Sequence, residues 1–274
     1  MAEVDVLDDT RLEQVLQDIS SDDRATMVAG EIRSKLQCIM TEFDFIVDTW
    51  PDYKALVIRR SANSQTPLSG QASMVYAKEL DSLRRILMKE GVIDWSNIVR
   101  IRGCDSKLMS VFSAILNQLN KSITHRTPCR LLRATEETLQ LRPVSEGFTV
   151  SSVQVGQSEM VNSTWKFRSE YSTSCIRKII GTMPSCCLYD NMGHVVGYAL
   201  TYHYGFLGML HVKEEHRGKG YAKVIMSHLA HKCLQEQDYA SVVVESDNCL
   251  SMKLHTDIGF VEVPDLKLCW MTCT

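Results

Sequence analysis

One stretch of the chain, VKEEHRGKGYA at residues 212–222, constrains the fold more than any other. Its two glycines, Gly218 and Gly220, allow the backbone to approach a ligand closely and to point successive N–H groups in one direction. An apolar, strand-like segment precedes the stretch, and a predicted helix begins at Tyr221. The positive end of the helix dipole therefore faces residues 217–220, which we call the glycine loop, and this arrangement predicts a pyrophosphate site.

Basic side chains accompany these glycines. Arg217, Lys219 and Lys223 add positive charge locally, whereas the whole chain has a formal net charge of −3. That acidic balance argues against a broad nucleic-acid-binding surface. An isolated Arg-Gly-Lys-Gly is also typical of a polar strand-to-helix turn with a solvated basic face, so the context of the motif has to decide between the two interpretations.

The size and composition of the chain indicate a soluble globular protein. Its 274 residues, 45% hydrophobic and 23% charged, suit two domains of ordinary size. The ten cysteines show no Cys-x-x-Cys pair and no ligand spacing, which favours reduced, mostly buried thiols and argues against a disulfide or a metal site. No apolar run approaches the roughly 20 residues that span a bilayer. The N-terminal segment is acidic and lacks a signal or transit pattern, so we expect a cytoplasmic protein.

The second half of the chain alternates between short apolar strands and amphipathic helices. Strands are predicted at residues 148–153, 186–189, 195–203, 206–212 and 240–245, with two more short strands at the end of the chain. Helices are predicted at residues 159–165, 172–181, 221–235 and 249–257. This order predicts a mixed α/β sheet that places the glycine loop between a strand and the helix after it.

The first half is less regular. Helices are predicted at residues 75–88 and 108–119, and strands at residues 55–58, at 98–101 and near Arg130. Residues 61–71 are polar and are predicted to form a loop. A short predicted helix at residues 135–141 leads to Pro143, where we place the domain boundary. Two domains are therefore expected, residues 1–143 and residues 144–274.

The parts that follow the glycine loop give it its context. Its helix, then VVVESDN at residues 242–248, then KLHTDIGF at residues 253–260 resemble the GCN5-related N-acetyltransferase fold in their order. The loop signature of that superfamily, Gln/Arg-x-x-Gly-x-Gly/Ala, is filled by Arg217, Gly220 and Ala222. The resemblance implies an α/β (α+β) fold with a mixed acetyltransferase sheet in the C-terminal half and with coenzyme A as the ligand. It implies that coenzyme A contacts six consecutive residues: Arg217, Gly218, Lys219, Gly220, Tyr221 and Ala222.

Four further positions gain expected roles from the same resemblance. The backbone groups of Leu210 and Val212 are expected to bind the pantetheine arm of coenzyme A, which lies beside them like an added strand. Gly208 fits the β-bulge that separates this strand from its neighbour. Asn248 matches a polar residue that contacts the cofactor arm, and it is equally well placed to cap the next helix.

Longer strings indicate a narrower relation. VDTWPDYKALVI at residues 47–58, IDWSNIVRI at 93–101, VNSTWKF at 161–167 and MPSCCLYDNMG at 183–193 resemble segments of the glycine N-acyltransferase family in the same order. The resemblance implies an enzyme that moves an acyl group from acyl-CoA to the amine of glycine or a similar small amino acid. It also implies an N-terminal companion domain shaped like a degenerate acetyltransferase, and a mitochondrial location as the alternative to the cytoplasm.

Direct transfer needs a neutral amine, whereas a free amino acid is mostly ammonium at pH 7, so the site must hold a proton acceptor. The family resemblance implies a glutamate just after the glycine that corresponds to Gly205, but this chain has Phe206 there. Glu245 is the first candidate, because it lies in an otherwise apolar strand where desolvation makes a carboxylate more basic. His203 and His211 are the other candidates, and a structural polar role is the alternative for each.

The resemblance also places His255 where the superfamily tends to have a tyrosine that protonates the departing thiolate; packing within its helix is the alternative role. Cys249 near the cleft raises the possibility of covalent catalysis, but direct transfer is the expected route. Arg168, Arg177 and Lys178 are candidate cations for the carboxylate of the acceptor.

Two other functions fit the same motifs. One is acetylation of a protein or peptide amine, which needs an open acidic or apolar groove. The other is binding of coenzyme A with weak catalysis or none, if the chain lost its catalytic base when the glutamate was replaced by Phe206. The retained glycine loop favours cofactor binding in either case. No nucleic-acid or membrane partner is expected, and no pattern indicates an oligomeric state.

Overall fold

The computed structural model of the protein describes residues 5–61, 64 and 71–274, and only the backbone of Gln71. The first four residues of the acidic leader and most of the polar segment at residues 61–71 lie outside the described residues. The chain forms two compact units, the first from Met1–Cys129 together with Asp265–Thr274, the second from Arg130–Pro264. A domain boundary at residues 143 and 144 stays a prediction.

The first unit contains four helices and four complete strands among its described residues. The helices are α1 (Asp9–Ile19), α2 (Thr26–Leu36), α3 (Leu80–Met88) and α4 (Met109–Gln118). The strands are β1 (Phe43–Val47), β2 (Ala55–Arg60), β3 (Gln71–Ala77) and β4 (Val99–Asp105). Two longer strands, β5 (Ile123–Ala134) and β11 (Val261–Cys273), contain the points at which the chain divides into units.

The sheet of the first unit is mixed. Strands β1, β2 and β3 pair in antiparallel order, β4 pairs parallel to β3, and the end of β11 pairs antiparallel to β4. Helix α3 packs on it through Leu83, Ile86 and Leu87, whose spacing of three and four residues puts them on one helical face.

The helix predicted at residues 75–88 is wrong at its start. Residues 75–77 belong to β3, and the helix begins at Leu80. Met74 to Ala77 are all buried, and Val75 pairs with Val57 of β2. Burial of consecutive apolar residues in a sheet erases the alternation that marks a strand, so the sequence pattern favoured a helix.

The second unit contains these elements in chain order: β6 (Thr149–Ser151), α5 (Ser158–Thr164), α6 (Ser172–Thr182), β7 (Ser185–Tyr189), β8 (Val195–Thr201), β9 (Phe206–Val212), α7 (Tyr221–Leu234), β10 (Ala240–Glu245) and α8 (Cys249–Thr256). Strands β6 to β9 pair in antiparallel order, and β10 pairs parallel to β9. The predicted mixed sheet of the C-terminal half is therefore confirmed.

Each face of this sheet has its own apolar core. Ile225 and Leu229 of α7 pack on one face with Leu188 and Val242, and Ile176 of α6 packs on the other face, in the same cluster as Val161 of α5. The alternation of side chains along the strands produces this division. Between the helices on the two faces, the edges of β9 and β10 form the walls of a site.

The helix predicted at residues 135–141 does not form. One turn closes there, from the N–H of Leu139 to the carbonyl of Thr135, but the N–H of Gln140 donates to the carbonyl of Ile258. The N–H of Arg142 donates to the Ser227 hydroxyl, and its guanidinium donates to the carbonyl of Asp257. Long-range partners take the hydrogen bonds that would continue a helix. The two predicted terminal strands are likewise one continuous strand, β11.

Candidate active site

Strands β9 and β10 separate to form a cleft. Their parallel pairing covers only Phe206 with Ser241 and Leu207 with Val242, although β9 continues to Val212. A cleft of about 400 Å³ lies beyond the last pair. Both strands line it, together with α7, α8, the end of α5 and the segment after α5. Among the described residues, no strand pairs with this edge of β9 after Leu207, so the edge can accept an extended ligand as an added strand.

A β-bulge produces the separation, one residue later than predicted. Met209 and Leu210 lie opposite one residue of β8, and Met209 has a φ of 50°, in the left-handed region. Gly208 itself pairs with Leu200. A Cβ at Gly208 would lie 2.4 Å from a ring carbon of Tyr202. The aromatic ring therefore leaves no room for a side chain at position 208.

The glycine loop presents unpaired N–H groups. Gly218 and Gly220 have φ angles of 75° and 83°, and Gly220 directly precedes Tyr221, the first residue of α7. Within the described part of the chain, the N–H groups of residues 218–222 donate no hydrogen bond to a protein acceptor. A Cβ added at Gly218 or Gly220 would meet no atom within 4 Å. These five amides at the positive end of α7 form a site for an anion such as a pyrophosphate.

The basic side chains of the loop are partly engaged. The Nε of Arg217 donates to the carbonyl of Val212 at 3.1 Å, which leaves the two terminal nitrogens of the exposed guanidinium. The Nζ of Lys219 donates to the carbonyl of Glu215 at 3.0 Å. Lys223 forms an ion pair with Asp257 at 2.8 Å and lowers the pKa of that carboxyl. Arg217 and Lys219 therefore hold the shape of the loop while adding positive charge to it.

Tyr221 anchors the start of α7. Its ring packs against Phe148 at 4.9 Å between centroids and against His216 at 6.2 Å. Asn248 caps α8, because its Oδ1 accepts from the N–H of Ser251 at 3.0 Å, and it also lines the cleft. The capping role is therefore present, and a cofactor contact by Asn248 stays a prediction.

Leu210 and Val212 face α7, whereas His211 lies on the other side of β9 and stacks on Tyr198 at 5.6 Å. This is the alternation that the sequence predicts. Burial, followed by the charge of Arg217, lowers the pKa of His211. His211 is therefore neutral at pH 7 and lines the cleft.

His255 is a buried, neutral histidine. Its Nδ1 lies 2.8 Å from the carbonyl of Ser251, and because a carbonyl only accepts, Nδ1 carries the proton. Burial lowers the pKa of His255, and the hydrogen bond to Ser251 only partly opposes this. Its Nε2 is buried and makes no hydrogen bond within the described residues. His255 lines the cleft, so the lone pair of its unprotonated Nε2 lies beside the site.

Comparisons with known proteins agree with this architecture. Residues 24–184 match the profile of a family described as aralkyl acyl-CoA:amino acid N-acyltransferase, which covers more than half of the chain. The chain belongs to this N-acyltransferase family. Residues 180–271 match a second profile, described as FR47-like protein.

Relatives of this N-acyltransferase extend over most of the chain. A bovine glycine N-phenylacetyltransferase is 24% identical over 245 residues, covering 80% of this chain and 81% of its own. A bovine glycine N-acyltransferase is 24% identical over 244 residues, with the same shares. The crystal structure of a Drosophila protein has a TM-score of 0.85 at 13% identity, covering 99% of this chain and 98% of its own. A tandem GCN5-related protein from clavulanic acid biosynthesis has a TM-score of 0.62 at 13% identity, covering 98% and 97%. The acetyltransferase fold is therefore shown.

The environment of Glu245 differs from the predicted one. The side chain is 38% exposed and forms an ion pair with Lys166 at 2.5 Å between Oε1 and Nζ. Glu245 lies at the end of β10, where the apolar strand opens into the cleft. The apolar sequence of the strand does not reveal this lysine, which comes from the segment after α5. The role of Glu245 as proton acceptor stays a prediction.

The remaining candidates lie less close to an N-acyltransferase centre. His203 is buried beside Tyr204 in the hairpin between β8 and β9 and is not among the residues that line the cleft. Phe206 begins β9, packs against Tyr204 and is only 3% exposed, so the position lies inside the fold and not at an exposed tip. A carboxylate at this position would be buried.

For His255, the tautomer argues against the predicted acid role. A proton donor for the thiolate needs a proton facing the cleft, but the only ring proton is held by Ser251. The arrangement suits a proton acceptor at Nε2 better. Cys249 is exposed at the start of α8, and no cleft-lining contact places it beside the reacting atoms.

Sequence patterns missed several cleft residues. Lys166 and Trp165 come from the segment after α5, and Tyr202 comes from the hairpin. The predicted cations do not line the cleft: Arg168 donates to the carbonyl of Ser163, and Arg177 lies 3.9 Å from Glu159. Lys178 is exposed on α6. The VNSTWKF string contained the missed lysine, but only the folded chain brings it to β10.

Within the described residues, no group of three or more His, Cys, Asp or Glu side chains is arranged to hold a metal ion. Seven of the ten cysteines are buried, and no disulfide joins any of the ten.

No described helix has the length and apolar character that crossing a membrane requires.

Proposed function

We propose that this N-acyltransferase moves an acyl group from acyl-CoA directly to the amine of glycine or a similar small amino acid. The row of five unpaired amides at the start of α7, beside the opening between β9 and β10, carries the proposal. The names of the bovine relatives, a glycine N-acyltransferase and a glycine N-phenylacetyltransferase, support the acceptor.

Coenzyme A fits the site from end to end. Its pyrophosphate would accept from the amides of residues 218–222, with Arg217 and Lys219 beside them. Its pantetheine arm would lie along the free edge of β9, at Leu210 and Val212, like an added strand. This path leads the thioester into the cleft.

The reaction balances without a further reactant. The amino acid gives up a proton, its neutral nitrogen attacks the thioester carbonyl carbon, and a C–N bond forms while the C–S bond breaks. The nitrogen loses a second proton, and the thiolate takes one up to leave as coenzyme A. One proton is released in total. The protein must therefore provide a proton acceptor at the nitrogen, for which Glu245, the neutral ring of His211 and the Nε2 of His255 are the groups available among the described residues of the cleft.

Aromatic and thioether side chains suit an aromatic acyl group. Trp165, Phe167, Met209 and Met226 line the cleft, and Phe167 is 60% exposed. Aryl rings and methionine sulfur pack favourably on aromatic ligands. We therefore include phenylacetyl-CoA and benzoyl-CoA among the donors to be tested.

The test measures thiol release from acetyl-CoA, benzoyl-CoA and phenylacetyl-CoA with glycine, with the N-acylglycine identified by mass spectrometry. Gly220→Val should lower kcat/KM by about 100-fold or more, because it obstructs amides that bind a charged group. Gly193→Val is the matched control: Gly193 has a similar φ of 79° and equally open surroundings, but lies in the turn between β7 and β8.

No N-acylglycine from any donor, or equal losses in the two glycine variants, would refute the proposal. The cytoplasmic location also stays a prediction, which fractionation of cells containing the native full-length protein would test.

A further inference from the structure

The cleft contains one ion pair whose two members come from distant parts of the chain. Lys166 follows α5, and Glu245 ends β10; their Nζ and Oε1 atoms are 2.5 Å apart. Both side chains line the cleft between β9 and β10. In the proposed function, the thioester enters this same cleft.

These are the only lysine, arginine, aspartate or glutamate side chains among the described residues that line the cleft. His211 and His255 also line it, and burial lowers the pKa of both, so they are neutral at pH 7. The charges that a ligand meets in the described part of the cleft are thus one ammonium and one carboxylate, side by side.

The pair can open at little cost. The side chains of Lys166 and Glu245 are 62% and 38% exposed, and exposed ion pairs contribute little to stability. The ammonium is nevertheless held in place, because the Nζ of Lys166 lies 4.7 Å from the ring centre of Phe167. Trp165 packs edge-on against that ring at 5.9 Å.

We propose that this ion pair is the acceptor site for a free α-amino acid, in which Lys166 binds the carboxylate and Glu245 binds the ammonium. The inference rests on the proposed function and names the residues that select its acceptor. An α-amino acid carries a carboxylate and an ammonium on neighbouring groups. Its carboxylate can therefore face the Lys166 ammonium while its ammonium faces the Glu245 carboxylate. Binding therefore replaces one internal ion pair by two between protein and ligand.

The assignment separates free amino acids from peptides. The N-terminal residue of a peptide has an ammonium but no adjacent carboxylate, so it would leave Lys166 without its partner. Lys166 is thus a specificity-determining residue, whereas Glu245 recognises the group that every acceptor shares. The two side chains should respond differently to an acceptor whose carboxylate is removed.

The experiment measures glycine and glycinamide as acceptors of the full-length protein. For each acceptor, every variant is compared with the parent protein. Lys166→Gln should raise the KM for glycine by roughly 10- to 100-fold and leave glycinamide and the KM for acyl-CoA unchanged. Lys166→Arg should recover most of the loss. Glu245→Gln should impair glycine and glycinamide alike. Lys178→Gln is the matched control, since Lys178 is an exposed lysine of α6 outside the cleft.

An unchanged KM for glycine in Lys166→Gln, or equal losses with glycine and glycinamide, would overturn the inference while turnover by the parent upholds the proposed function. If the parent acylates no amino acid, calorimetry of glycine binding to the protein saturated with coenzyme A decides instead. Glycine binding that Lys166→Gln abolishes would support the acceptor site, and no glycine binding to the parent would overturn it.

Discussion

The two units repeat one arrangement, a strand, a helix and a parallel strand, with different results. The first unit has β3, α3 and β4, and the second has β9, α7 and β10. In both, the parallel pairing is brief: residues 71–73 with 99–101, and residues 206–207 with 241–242. The shared topology supplies a helix N-terminus and two parting strands in each unit, so any difference in binding must come from what surrounds them.

The connection before the helix differs most. Eight residues, 213–220, lead into α7, whereas only Lys78 and Glu79 lead into α3. Within the described part of the chain, the N–H groups of the last three of these eight residues and of the first two residues of α7 donate no hydrogen bond. The N–H groups of Lys78 and Glu79 both point at the carbonyl of Lys54, at 2.8 and 3.4 Å. Asp81 adds a negative charge in the first turn of α3. The start of α7 therefore suits an anion better than the start of α3 does.

The space between the strands differs as well. In the first unit, a Cβ at Gly103 of β4 would lie 2.0 Å from the sulfur of Met27, so the side chain of this α2 residue packs directly on the strand. Met27 is buried. In the second unit the corresponding strands border the cleft. The fold thus provides the helix dipole in both units, while the connection before the helix and the packing between the strands decide whether a cofactor can use it.

The largest expected effect comes from Met27→Ala. Removing a buried methionine should lower the free energy of unfolding by about 2–4 kcal/mol, because it leaves a cavity. The change should create no second site for coenzyme A, since the amides before α3 remain engaged. Denaturation measures the first effect, and calorimetric stoichiometry the second. Met192→Ala, at a position 75% exposed, is the control. If Met27→Ala bound two molecules of coenzyme A, packing alone would account for the difference in binding between the two units.

Ala222→Asp should copy the acidic first turn of α3 into α7. We expect coenzyme A to bind about 10-fold more weakly, because a carboxylate would stand beside its pyrophosphate. Stability without ligand should stay the same or rise by about 0.3–1 kcal/mol, since the dipole favours the new charge. Ala222→Asn isolates the charge from the shape and should bind almost like the parent. Calorimetry at two salt concentrations measures the effect, and equal affinities of the two variants would contradict it.

The smallest expected effect is a difference in pH response. His255 has a pKa lowered by burial, so its contribution to stability is complete above the ordinary value of about 6.5 and is lost as the pH falls below it. In the first unit, Asp18 has a pKa lowered by its hydrogen bond from Lys78, so its contribution is lost only below about 4. Between about pH 6 and pH 4.5, α8 should therefore lose protection while α1 keeps it.

Hydrogen exchange followed by mass spectrometry at pH 7 and pH 5 measures this difference. Amide exchange slows intrinsically with falling pH, so each peptide is compared with its own unfolded rate. His255→Gln should reduce the pH response of α8, and His231→Gln, at an exposed histidine of α7, should not. A parallel loss of protection in α1 would contradict the assignment.

Local signals made part of the site predictable. The glycine loop, the bounds of β9 and β10, and the start of α7 depend on neighbouring residues and follow from the sequence. Lys166 could not be assigned in this way, because it reaches Glu245 across 79 positions of the chain. The tautomer of His255 depends on a carbonyl distance, and the lack of space at Gly208 on where the Tyr202 ring rests. Each of these depends on tertiary packing, which periodicity does not encode.

The contact between Gly208 and Tyr202 has a consequence for how these two positions evolve. The φ angle of Gly208 is ordinary, unlike those of Gly218 and Gly220, so only space forbids a larger residue there. Alanine becomes acceptable at position 208 once the ring at position 202 shrinks. The two positions are therefore expected to change together among homologous chains, with glycine retained wherever the aromatic ring persists, while the loop glycines stay fixed whatever stands around them.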